Sequence, residues 1–137
     1  MTRDELDAAT DEQLNEMAAK VIYGITPRWV RGLGTDEMVL IHSDNPFLID
    51  GMCTVDELRK HAMPKSPATD IADAWELVEK MRVLYGFNLD ASGFDGAEWR
   101  VVIGWGDDPV SVHAEAATAP RAITIAALLA WQEKEKA

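Results

Sequence analysis

Apolar residues recur along this chain with two periods, and the change from one to the other divides it into elements. Leu14, Met17, Ala18 and Val21 fall at i, i+3, i+4 and i+7, which predicts an amphipathic helix over 11–22. Thr10 and Gln13 have the spacing of a reciprocal N-terminal cap, and Gly24 stops the helix. Thr2 and Glu5 repeat the cap spacing and predict a short helical turn at 4–8. Over 25–66 the periodicity weakens while Pro27, Gly32, Gly34, Pro46, Gly51 and Pro64 accumulate, so this stretch reads as an irregular excursion. Within it, Arg28–Arg31 and Met38–Ile41 flank a Gly-Leu-Gly-Thr-Asp turn and predict a small hairpin. Thr54 and Glu57 then open a helix over 54–62 that Pro64 must end.

The helical period is clearest over 70–82. Pro67, Ala68 and Thr69 supply its entry and cap, and Ile71, Ala74, Trp75, Val78 and Met81 form one apolar stripe. The period then shortens to 2. Val83, Tyr85, Phe87 and Leu89 alternate with less apolar neighbours, as do Trp99, Val101, Ile103 and Trp105, and then Val110, Val112 and Ala114. A three-stranded antiparallel meander at 83–89, 98–105 and 110–115 is expected, with Gly106, Asp107, Asp108 and Pro109 as a turn. Pro120 opens a last helix over 120–133. Helices, sequential strands and a closing helix make an α+β order, and all 137 residues read as one domain with Trp75, Val78 and Met81 against Val101 and Ile103. Ile123, Ile125, Leu128, Leu129 and Trp131 point around more than half of the last helix, which predicts a homo-oligomer.

Composition narrows the function classes. The chain has 24 acidic and 13 basic residues, a net charge of -11, so its field disfavours direct contact with nucleic acid or anionic lipid. That charge would permit an acidic DNA-mimic inhibitor, although no dense acidic run marks such a face. The single cysteine, Cys53, cannot close an intramolecular disulfide, and no apolar run approaches the length of a membrane span. With an acidic N-terminal stretch and no apolar signal core, the expected location is the cytoplasm.

Residues 67–81, Pro-Ala-Thr-Asp-Ile-Ala-Asp-Ala-Trp-Glu-Leu-Val-Glu-Lys-Met, carry a resemblance that periodicity does not supply. This stretch is similar to the "STDIAAAWEVVEKM" helix signature of the phage ABA-sandwich domain family. Lys20-Val21-Ile22-Tyr23-Gly24 resembles the end of that family's first helix, Trp99 its tryptophan-bearing strand, and 113–129 its "AEADTAPLAICLAAL" tail. The chain departs from the pattern at Pro67-Ala68 and in its longer stretch between Gly24 and Pro67. The resemblance implies an α/β/α-type sandwich and a phage-encoded protein acting in the host cytoplasm. It implies no catalytic motif.

The candidate chemistry is sparse. Gly32-Leu33-Gly34 lacks the rest of a dinucleotide fingerprint, and no phosphate loop occurs, so no cofactor is expected. His42 and Asp44 are a closely spaced ligand pair that a third group would complete into a metal site, the basis of an alternative reading as a small metal-dependent hydrolase or nuclease. Cys53 beside a histidine would make a nucleophilic pair; otherwise it is a small packed residue. Arg28, Trp29 and Arg31 combine guanidinium forks with an aromatic plane, a set suited to a phosphate, a carboxylate or a base, unless Trp29 merely plugs the hairpin onto the core. The charge nears balance over 21–66, with six acidic and five basic residues, where an anionic ligand could approach. The expected function is a non-enzymatic accessory protein that uses Arg28, Trp29 and Arg31 to bind a host protein or sequester a small ligand such as a nucleotide.

Overall fold

The computed structural model describes residues 2–43, 45–60, 65–85, 88–93, 99–104 and 111–136. The helices are α1 (Arg3–Ala8), α2 (Asp11–Val21), α3 (Pro46–Ile49), α4 (Val55–Lys60), α5 (Ile71–Tyr85) and α6 (Ala119–Lys136). The strands are β1 (Arg28–Arg31), β2 (Met38–Ile41), β3 (Asn88–Gly93), β4 (Trp99–Gly104) and β5 (Ser111–Ala116). The class is α+β, and the chain divides into two compact units: Met1–Ala18 with Ser66–Ala137, and Ala19–Lys65.

Local chemistry explains the helix starts. In α2 the Gln13 amide donates to Thr10 Oγ1 at 3.1 Å while the Thr10 amide donates to Gln13 Oε1 at 2.9 Å, closing the reciprocal cap. Thr2 caps α1 and Thr54 caps α4 through the Glu5 and Glu57 amides. At α5 the cap is Asp70, whose Oδ1 accepts from the Asp73 amide at 3.1 Å, rather than the expected 67–69 segment.

In the first unit α6 is the central element. It packs against β4, β5, α5 and α1, and Ala122, Ile123, Ile125, Ala126, Ala127 and Leu128 are fully buried or nearly so. The sheet runs β3-β4-β5, antiparallel throughout, with Asn88 opposite Gly104, Gly93 opposite Trp99, and Val102 opposite His113. Its inner face, Val101, Ile103, Val112, Ala114 and Ala116, is buried.

Two expectations are corrected here. Residues 83–85 continue α5 instead of opening a strand, because Leu84 and Tyr85 extend the 3–4 spacing of Leu77, Val78 and Met81 as well as they fit an alternation. The strand begins at Asn88 and takes in Asp90, Ala91, Ser92 and Gly93, a stretch whose composition reads as loop; pairing along β4 overrides their weak strand propensity. Arg100, Ser111, His113 and Glu115 lie exposed on the sheet's other face, and α6 packs against β4 and β5.

The second unit covers nearly the whole of the expected excursion and has its own core. Val30, Val39, Ile41, Leu48 and Leu58 cluster there, with Ile49, Cys53 and Val55 packed against them. The short α3, capped by Asn45 Oδ1 on the Phe47 amide, is an element that the apolar pattern does not announce. Gly34 and Gly51 adopt φ of 74° and 83°, the left-handed region in which glycine is unstrained.

Candidate functional site

The β1–β2 hairpin carries the sequence-predicted triad, and its register splits that triad. Val30 faces Val39 and Arg28 faces Ile41 on the core side, whereas Trp29 faces Leu40 and Arg31 faces Met38 on the outer side. Val30, Val39 and Ile41 are buried, Leu40 is half-buried, and Trp29, Arg31 and Met38 are exposed, as is Arg28 at the strand's start. Trp29 is 64% exposed, so it does not plug the hairpin onto the core. The structure brings Trp29 and Arg31 together with Met38 and Leu40 and sets Arg28 on the opposite face. Met38 and Leu40 were missed as site residues, although their alternation with Val39 and Ile41 was a legible signal.

Arg31 approaches Asp36 at 3.9 Å with both side chains exposed, a pairing too open to hold the guanidinium strongly. Beyond it, a concavity of about 510 Å³ is lined by Arg31, Gly32, Leu33, Gly34, Thr35, Asp36 and Gly51. Leu33 is tied in by its amide, which donates to the Cys53 carbonyl at 2.8 Å, while Leu33, Phe47 and Met52 leave apolar side chains exposed. Glu37 pairs with Arg59, fixing the far side of the turn to α4.

His42 is buried, and among the described residues its Nδ1 has no hydrogen-bond partner and no group of three or more His, Cys, Asp or Glu side chains able to hold a metal ion occurs. Asp44, His61 and Trp105 lie outside them, as does the turn at 106–109. The Cys53 thiol donates to the Phe47 carbonyl at 3.0 Å. Desolvation, then the nearby Glu57 and Asp50 carboxylates, push its pKa up, the wrong direction for a nucleophilic thiolate. His113 lies exposed on β5 in the first unit.

Trp75 and Trp99 do not join the core that the stripe and the alternation suggest. Trp75 is 47% exposed, because the stripe that α5 buries is Ala74, Leu77, Val78 and Met81 and leaves Ile71 and Trp75 on its flank. Trp99, at the end of β4, is also exposed, and Trp131 is half-buried. No helix among the described residues is long and apolar enough to cross a membrane.

No curated protein and no solved structure matches this chain. The family model described as the phage ABA sandwich domain matches residues 18–128, which takes in all of the hairpin, the α5 signature and most of α6. The chain therefore belongs to the phage ABA sandwich domain family.

Proposed function

We propose that this protein is a non-enzymatic phage accessory protein that acts in the host cytoplasm by binding a host protein or a small anionic ligand through the outer face of the β1–β2 hairpin. The observation that carries the reading is the exposure of Trp29 beside Arg31 on a face the core does not use. A large aromatic and a guanidinium are the side chains that most often anchor an interface. Met38 and Leu40 widen the apolar contact, and Arg31 supplies a planar fork for a carboxylate or phosphate.

The register also supplies a control. Capture from extracts of phage-infected cells, read by mass spectrometry, is compared for wild type, Trp29→Ala/Arg31→Ala and Arg28→Ala. The double variant is expected to melt with wild type and to bind its polypeptide or nucleotide more weakly by about 2 kcal/mol or more, while Arg28→Ala retains it. Equal capture by wild type and the double variant overturns the reading.

A further inference from the structure

The concavity of about 510 Å³ beside Arg31 is rich in hydrogen-bond donors that the protein itself leaves unused. Three amides of the turn are engaged: Gly32 donates to the Glu37 carbonyl at 3.0 Å, Leu33 to that of Cys53 at 2.8 Å and Thr35 to that of Gly32 at 3.3 Å. The amides of Gly34, Asp36 and Gly51, three other lining residues, donate to no group among the described residues. Thr35 Oγ1 accepts from the Glu37 amide at 3.2 Å, which leaves its O–H proton to donate. A Cβ on Gly34 or on Gly51 would meet no atom within 4 Å, so the space beside both backbones is open.

The neighbouring carboxylates are largely committed elsewhere. Glu37 pairs with Arg59, and Asp50 Oδ1 accepts from the Met52 amide at 3.0 Å. Asp36 is the exception, since its fully exposed side chain approaches Arg31 only to 3.9 Å. Arg31 also shares the outer side of the hairpin with Trp29, two residues and about 6.6 Å away along the strand.

From this we infer that the concavity is the phosphate subsite of a site for a purine nucleoside monophosphate, with Trp29 as the platform on which the base stacks. The inference rests on the hairpin reading above and narrows its ligand. A phosphate monoester presents three terminal oxygens, and Arg31, the Thr35 hydroxyl and three unused amides supply more donors than a carboxylate's two oxygens need. A ribose separates base from phosphate by a span comparable to two strand residues, so a base on Trp29 leaves its phosphate at Arg31. The indole is 64% exposed and offers a stacking face, more of which a purine covers than a pyrimidine. Asp36 is the counter-ion that the phosphate displaces from Arg31, and its exposure lets it turn away into solvent. Ala19–Lys65 carries six acidic and six basic residues, so a dianion meets no net repulsion from this unit.

The test is calorimetric titration of the full chain with AMP, GMP, adenosine and inorganic phosphate, each alone, with melting followed by circular dichroism. The tighter of AMP and GMP is expected to bind wild type at least tenfold more strongly than adenosine or inorganic phosphate. Arg31→Ala is expected to weaken that nucleotide at least tenfold, and Trp29→Ala to do the same while leaving inorganic phosphate unchanged. Asp36→Asn removes the competing carboxylate and is expected to tighten the nucleotide threefold or more. All three side chains are exposed, so the variants should melt with wild type. No binding of AMP or GMP at millimolar concentration, inorganic phosphate bound as tightly as either, Arg31→Ala or Trp29→Ala binding the nucleotide as wild type does, or Asp36→Asn binding no tighter would each overturn the inference. A polypeptide captured through Trp29 and Arg31 by a chain that binds neither AMP nor GMP would overturn it and leave the hairpin reading standing.

Discussion

At the scale of single residues, Trp75 and Met81 lie two turns apart on one helix and have opposite fates. Met81 is fully buried against the core of the first unit, so Met81→Ala is expected to cost about 2–5 kcal/mol through lost burial and the cavity left behind. Trp75, nearly half exposed, makes a far smaller contribution, and Trp75→Ala is expected to stay within roughly 1 kcal/mol. Urea titration of the two variants checks the order; a Trp75 variant as destabilised as the Met81 variant would return Trp75 to the core. A stripe read from sequence locates an apolar arc only to within a residue or so, and the neighbour that fixes its centre, here α6, lies far away in the chain. Cys53 carries a second expectation. With its thiol donating to Phe47 and its pKa pushed up, alkylation by iodoacetamide at neutral pH should run well below the rate of an unhindered cysteine and rise as pH is raised. A rate matching a free thiol would contradict that environment.

At the scale of elements, what could be read in advance was whatever local chemistry decides. The Thr10–Gln13 cap, the Thr54 cap and the hairpin turn follow from residues within a few positions of one another, and each forms where the spacing places it. The polar strand β3 was illegible because only its pairing with β4 makes it a strand. The site was half legible: composition points to the hairpin, but which of Arg28 and Arg31 accompanies Trp29 is decided by register. One close approach ties that hairpin to α4. A Cβ on Gly32 would lie 2.3 Å from Val55 Cγ2 and 3.2 Å from the Val55 amide nitrogen at the helix start. Gly32→Ala must therefore push the turn and α4 apart and is expected to cost about 1–3 kcal/mol. Hydrogen exchange should show faster amides at 28–41 and 55–60. Unchanged protection there would mean that the turn gives way without effect.

At the scale of the whole molecule, the chain divides into two compact units, and the second has a core cluster of its own. Among the described residues the second unit's core clusters five buried side chains with Leu58 fully enclosed, so Leu58→Ala is expected to cost about 2–5 kcal/mol. Exchange over 19–65 should quicken while the α6 amides keep their protection; uniform acceleration along the chain would show one cooperative unit instead. The charge is unevenly shared between the two units. Ala19–Lys65 holds six acidic and six basic residues, which leaves 24 minus 6, or 18, acidic and 13 minus 6, or 7, basic residues and the whole -11 on the other unit. The interruption of that charged unit is itself closed by a hydrogen bond: Asn15 Oδ1, buried on α2, accepts from the Ala68 amide at 2.9 Å. The departure and return points of the intervening chain are therefore stitched together from the host side. Such a junction behaves as a cassette port. The length of the chain threaded through it can change at little entropic cost without touching the bond that closes the surrounding unit.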